Sequence, residues 1–98
     1  MTSEKRAPQQ SRWTFLTNHA LVLLCIARNN MATARQIAGQ VGITERAVQR
    51  ILKDLHDADY LSHTRHGRQN RYQIRADAPM RHPLQQGRLL HELLDRFA

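Results

Sequence analysis

The sequence predicts a small, mainly α-helical fold with one β-hairpin appended, an α+β arrangement, and three observations carry that expectation. Apolar residues recur at helical spacing in Val48, Ile51, Leu52 and Leu55, and again in Leu89, Leu90, Leu93, Leu94 and Phe97. Thr33 and Thr44 stand where a hydroxyl can cap a helix start, and Gly42 stands where a helix must stop. Two imperfectly alternating segments, Tyr60 to Thr64 and Arg71 to Arg75, flank Gly67 as the arms of a ribbon flank its turn.

Each element follows from local chemistry. Residues 1–12 hold four charges, two Gln and almost nothing to bury, so they read as a flexible tail. Asn18 is the expected cap of a first helix whose apolar residues run continuously from Ala20 to Ala27, so that helix has to be covered on several sides. Thr33 and Gln36 form a T-x-x-Q capping box for a second helix, Ala34 to Val41, which Gly42 ends. Thr44 caps a third helix, with Glu45 in the first turn where the helix dipole favours an acid. A last helix is expected from about Pro83, a proline suited to a first turn, with Gly87 weakening its start. The expected division is therefore a tail over 1–12, a compact unit over 13–76, and a linker with a C-terminal helix over 77–98.

Composition narrows the function. The chain has 98 residues, room for one domain, so an enzyme with an interdomain cleft is not expected. Fifteen Lys and Arg against eight Asp and Glu give a net charge of +7, which favours polyanionic partners. The longest apolar run is eight residues where a membrane span needs roughly 20, so no membrane partner is expected. One cysteine, Cys25, permits no intrachain disulfide, in keeping with a reducing, cytoplasmic setting. It lies within the apolar run and reads as a small buried hydrophobe rather than a redox sensor.

The most informative window runs from Ala34 to Ile51. Two helices locked by a tight turn need apolar anchors, a small residue where they touch, a glycine at the corner and an apolar plug. Ile37 and Val41, Ala38, Gly42 and Ile43 fill those places, and Val48 and Ile51 anchor the second helix. The opposite face presents Arg46, Gln49, Arg50 and Lys53. Downstream, Leu61 to Arg75 contains four arginines, two histidines and no acid, and its Gly67 tip would project with Arg65, Arg68 and Arg71 nearby.

The stretch TARQIAGQVGITERAVQRILKDLHDADYLSHTRHGRQNRYQI resembles the helix-turn-helix and wing of MarR-type winged-helix transcription regulators, and RHPL at Arg81 to Leu84 is similar to a segment of small stand-alone members. The resemblance spans about Thr17 to Ile74. It implies a winged helix-turn-helix with a C-terminal dimerisation helix, and a cytoplasmic, nucleoid-associated regulator that binds double-stranded DNA as a homodimer. It assigns Thr44, Glu45, Arg46, Gln49, Arg50 and Lys53 to a recognition helix and Arg65, Arg68 and Arg71 to the wing. Two departures stand out: Asp59 occupies the family's usual glycine position before the wing, and the chain is too short for a long two-helix dimer platform.

Other chemistry is not expected. There is no phosphate-binding glycine loop, nucleophile elbow or pair of facing carboxylates, so an enzyme is not expected, and Asp54, Asp57 and Asp59 read as solvated. Of six histidines only His63 and His66 are close, with no thiol or acid to complete a set, so neither metal nor cofactor is expected and nothing identifies a small-molecule effector. The C-terminal stripe Leu89, Leu90, Leu93, Leu94 and Phe97, together with the apolar first helix, is the expected dimer interface. Folding of the tail back onto its own subunit is the competing arrangement. A winged-helix protein-interaction module and a nonspecific nucleoid or RNA binder are the alternative functions.

Overall fold

The computed structural model describes residues 13–97, so the tail expected over residues 1–12 lies outside the described residues. Helix α1 (Asn18–Arg28) is followed by α2 (Ala34–Val41) and α3 (Glu45–Asp57), then by the antiparallel strands β1 (Leu61–His66) and β2 (Gln69–Ile74), a single 3-10 turn at Pro83–Gln85, and α4 (Leu90–Phe97). Among the described residues no helix is long and apolar enough to cross a membrane.

Local signals set the helix ends. The Thr33 hydroxyl accepts from the Gln36 N–H at 3.1 Å while the Gln36 side chain accepts from the Thr33 N–H at 2.8 Å, both halves of the capping box. Thr44 caps α3 by accepting from the Ala47 N–H at 3.0 Å. Gly42 closes α2 in the left-handed region (φ 88°, ψ 34°), where a side chain would be strained. The cap of α1 is Thr17 rather than Asn18: its hydroxyl accepts from the Ala20 N–H, and Asn18 is already the first helical residue.

The core forms where α1 meets its neighbours. Helix α1 packs against α2, α3, α4 and β2, so its continuous apolar run is covered within one chain. Val22, Ile26, Ile37 and Val48 are its most buried side chains. The ribbon leans on this body through Leu61 and Tyr72, both buried, and through a Tyr72 N–H donated to the Asn30 carbonyl at 2.8 Å. Such anchoring matters because an isolated two-stranded ribbon is only marginally stable.

The ribbon and the C-terminal segment differ from expectation in detail. The strands extend to His66 and begin again at Gln69, paired across a two-residue turn whose first member, Gly67, has φ +66°. Pro83 starts only a 3-10 turn, because Gly87 (φ +86°) then redirects the chain and α4 begins at Leu90. The intervening loop is held by Leu90 N–H to Ala78 O and Met80 N–H to Arg88 O, at 2.8 and 3.0 Å. Helix α4 lies on α1, with Leu90 and Leu94 at 3% and 7% exposure and the Arg28 guanidinium donating to the Phe97 carbonyl at 3.0 Å. The C-terminal segment therefore folds back onto its own protomer.

Candidate nucleic-acid interface

The turn between α2 and α3 decides what α3 presents. With Gly42 folded back, both its N–H and that of Ile43 reach the Ala38 carbonyl, at 2.8 and 3.2 Å, and Ile43 packs partly buried against the core. Val48, Ile51, Leu52 and Leu55 are thereby turned inward, and Arg46, Gln49, Arg50 and Lys53, at i, i+3, i+4 and i+7, form the exposed opposite face. Thr44 and Glu45 are exposed at its N-terminal end, with the Thr44 oxygen engaged as the cap.

Lys53 differs from the rest of that face. Its ammonium lies 2.8 Å from Asp57, one helical turn on, and this hydrogen bond raises the lysine pKa and lowers that of the aspartate. The two charges compensate each other at the outer end of the helix.

The wing arginines are not equivalent. Pairing of Arg65 with Asn70, His63 with Tyr72 and Leu61 with Ile74 puts these six residues on the ribbon face turned toward the body. Arg65 is held there by hydrogen bonds from Nε to the Gly67 carbonyl (3.2 Å) and from Nη1 to Asn70 Oδ1 (3.5 Å). Arg71 sits on the opposite face, opposite Thr64, and Arg68 is at the tip. Both are exposed.

Ion pairing sorts the charges by location. Asp54 pairs with His19 (2.9 Å), Asp59 and Asp77 with Arg75 (2.8 and 3.5 Å), Glu92 with Arg88 (2.7 Å) and Asp95 with His91 (3.2 Å). Among the described residues Arg46, Arg50, Arg65, Arg68 and Arg71 have no acidic partner, and Glu45 is the only acid without a basic one. Of the acids read as merely solvated in the sequence, Asp54 and Asp59 are tied to His19 and Arg75 away from this face, and Asp57 is tied to Lys53 on it. Unpaired positive charge is thus left on α3 and the wing, as it is at Arg28, Arg35, Arg81 and Arg96 elsewhere among the described residues.

Residues beyond those expected also converge here. His56 and His63 approach across the cleft between α3 and the ribbon, with ring centroids 6.1 Å apart, and His63 lies 5.9 Å from the Tyr72 ring. Strand register could not be read from the sequence closely enough to set His63 opposite Tyr72, so this grouping had no local signal. Elsewhere, burial pushes the half-buried Cys25 thiol up against a weaker opposing effect of Arg28, which keeps it protonated and poorly nucleophilic. Among the described residues no three His, Cys, Asp or Glu side chains gather as metal ligands.

The C-terminal residues divide. Leu90 and Leu94 are buried in the protomer's own core, Leu89 and Leu93 are half-buried, and Phe97 is 48% exposed. A partner can therefore reach Phe97 and the edges of Leu89 and Leu93, whereas Leu90 and Leu94 are already covered.

Two capped helices meeting at a left-handed glycine, followed by a ribbon that leans on the second, define a winged helix-turn-helix. Residues 17–62 match the family model described as winged helix-turn-helix DNA-binding. The fold as a whole is that of a winged helix-turn-helix. It is similar to the solved structure of a zinc-responsive MarR family member, ZitR of Lactococcus lactis, at 21% identity and a TM-score of 0.51, over 69% of this chain and 49% of that one. The chain thus spans about half the length of that relative. No curated protein matches it in sequence.

Proposed function

We propose that the protein is a transcription regulator that binds specific double-stranded DNA sequences as a homodimer. One observation carries this reading: the exposed face of α3 presents Arg46, Gln49 and Arg50 with no acidic partner, directly opposite the buried face that fixes the helix. Guanidinium and amide groups make the bidentate contacts to guanine and adenine edges by which a major groove is read. Lys53, Thr44 and the helix N-terminus supply backbone contacts, and Glu45 accepts from a cytosine amino group. In the wing, Arg68 and Arg71 reach phosphates or the minor groove, and Arg65, pinned to the ribbon, contacts the strand nearest α3.

Two copies are proposed because one recognition helix covers too few base pairs to stand out against a genome of competing sites. Among the described residues Trp13, Phe15, Leu84 and Phe97 are exposed apolar groups available to a second copy, with Leu89 and Leu93 beside them. A DNA partner puts the protein on the nucleoid, in the cytoplasm. Selection of bound duplexes from a random pool tests the reading. The expected motif is an inverted repeat with half-sites about 34–36 Å apart, or a close multiple of that. Equal binding to all sequences refutes specificity, and no binding at low salt assigns the basic face to an acidic protein instead.

A further inference from the structure

The sugar–phosphate strand that separates a major groove from the neighbouring minor groove must pass between a protein element in one and an element in the other. On the reading above, which this inference rests on, those elements are α3 and the wing. Between them lies a cleft of about 230 Å³, with Gln49, Lys53 and His56 along one wall and His63 and Asn70 along the other. Leu52, Leu61 and Tyr72 are buried beneath.

We propose that this cleft is a phosphate seat, in which His56 and His63 hold one backbone phosphodiester of the strand between the two grooves and tie DNA affinity to pH. No carboxylate lines it. The nearest acid, Asp57, stands behind His56 with 3.7 Å between Oδ1 and Nδ1, and its other oxygen is engaged by Lys53 at 2.8 Å. The groups facing His63 are Lys53 and His56 from α3 and Tyr72 from β2, with Arg65 two residues along on the same face of β1. All the charge it meets is positive or neutral, which suits an anion. The tilted row of rings from His56 through His63 to Tyr72 holds the imidazole edges in place over the apolar floor.

Histidine is the side chain that changes charge between about pH 5 and 8. A phosphodiester favours the protonated ring, which carries a charge and donates from both nitrogens. Binding therefore takes up protons, and affinity falls as pH rises.

The test pairs protein variants with modified DNA. A duplex recovered from a random pool is rebuilt with one phosphate at a time replaced by a neutral methylphosphonate, and its binding is measured with wild type and with His56→Gln/His63→Gln. Both side chains are exposed and glutamine keeps hydrogen-bonding capacity, so the fold is retained, with circular dichroism as the check. At about pH 6 one methylphosphonate position per recognition helix should weaken wild type and weaken the double variant clearly less. The slope of log K against log salt should be flatter in the variant by up to about 0.9 per seat, with the difference shrinking toward about pH 8. His66→Gln, on the opposite ribbon face, should keep the wild-type penalty. The same penalty in the double variant as in wild type, or identical salt slopes at about pH 6, overturns the seat while leaving the DNA-binding reading intact. A wild-type protein that binds no duplex overturns both.

Discussion

Asp59 is the one described residue other than glycine with a positive φ, +67°, and it lies between α3 and the ribbon. Its N–H donates to the His56 carbonyl at 3.0 Å, and the next residue, Tyr60, donates to Leu55, so the left-handed turn is part of how α3 ends. Placing an L residue there costs about 1–2 kcal/mol, less for Asp than for most. The Asp59–Arg75 ion pair, 82% and 51% exposed at the two side chains, returns at most about 1 kcal/mol, and Arg75 keeps Asp77 as a second partner. Asp59→Gly removes the strain and the pair together and adds about 0.4–1 kcal/mol of unfolded-chain freedom, so stability should change little. Asp59→Ala keeps the strain and loses the pair, a loss of about 1 kcal/mol. Asp59→Val adds β-branching at a left-handed position and should fall about 2 kcal/mol below Asp59→Gly. Urea melts of the four proteins read these differences, and in thermal melts each kcal/mol moves Tm by about 4–8 °C. Equal stability of the Val and Gly variants would refute the left-handed assignment of this corner.

Four further outcomes follow from the same geometry. Arg50→Ala should alter the base preference in a random-pool selection, with about 1–3 kcal/mol lost at one position; an unchanged motif with uniformly weaker binding makes Arg50 a phosphate anchor instead. Arg68→Ala with Arg71→Ala should weaken all duplexes alike and flatten the salt dependence by about 0.9 per lost contact, while an unchanged slope removes the wing from the interface. Glu45→Gln should cost about 0.3–1 kcal/mol of stability at the N-terminus of α3, seen in urea melts, and raise affinity for unselected DNA by removing an unpaired negative charge; lower affinity would contradict its placement at the interface. Leu94→Ala should destabilise the protomer by about 2–5 kcal/mol at every protein concentration, whereas Phe97→Asp should leave unfolding within about 0.5 kcal/mol and change only the mass read by light scattering.

What could be read from the residues was what is decided within a turn or two of chain. Thr33 with Gln36, Thr44, Gly42 and the spacing of Val48, Ile51, Leu52 and Leu55 state two helices and their corner, because caps and amphipathic faces are local. The exposed face of α3 followed at once. Harder to read was anything decided by a distant partner. The start of α4 depended on Gly87 adopting φ +86°, a conformation open to glycine but not required of it. Whether Leu90 and Leu94 met a second chain or the first depended on the room beside α1, which no spacing rule reports. The wing arginines could be counted, but their division between two ribbon faces required the register that the two-residue turn imposes.

That packing also changes the basis of the proposed dimer. With Leu90 and Leu94 spent on the protomer core, the large apolar groups left to a partner among the described residues are Trp13, Phe15 and Leu84, at 68%, 92% and 90% exposure, and the half-exposed Phe97. Burying such side chains yields about 1.5–3 kcal/mol each, so covering them on two copies yields on the order of 10 kcal/mol. Association costs about 4–15 kcal/mol in lost freedom. The two magnitudes are comparable, and a dimer resting on this surface alone is weak. On the proposed function, two copies of α3 on adjacent half-sites would add the electrostatic contacts of both wings to the same assembly, and by linkage the DNA that favours the dimer would be bound more tightly by it. Assembly and operator recognition would then be one equilibrium, steepest where the repeat spacing lets the apolar groups meet.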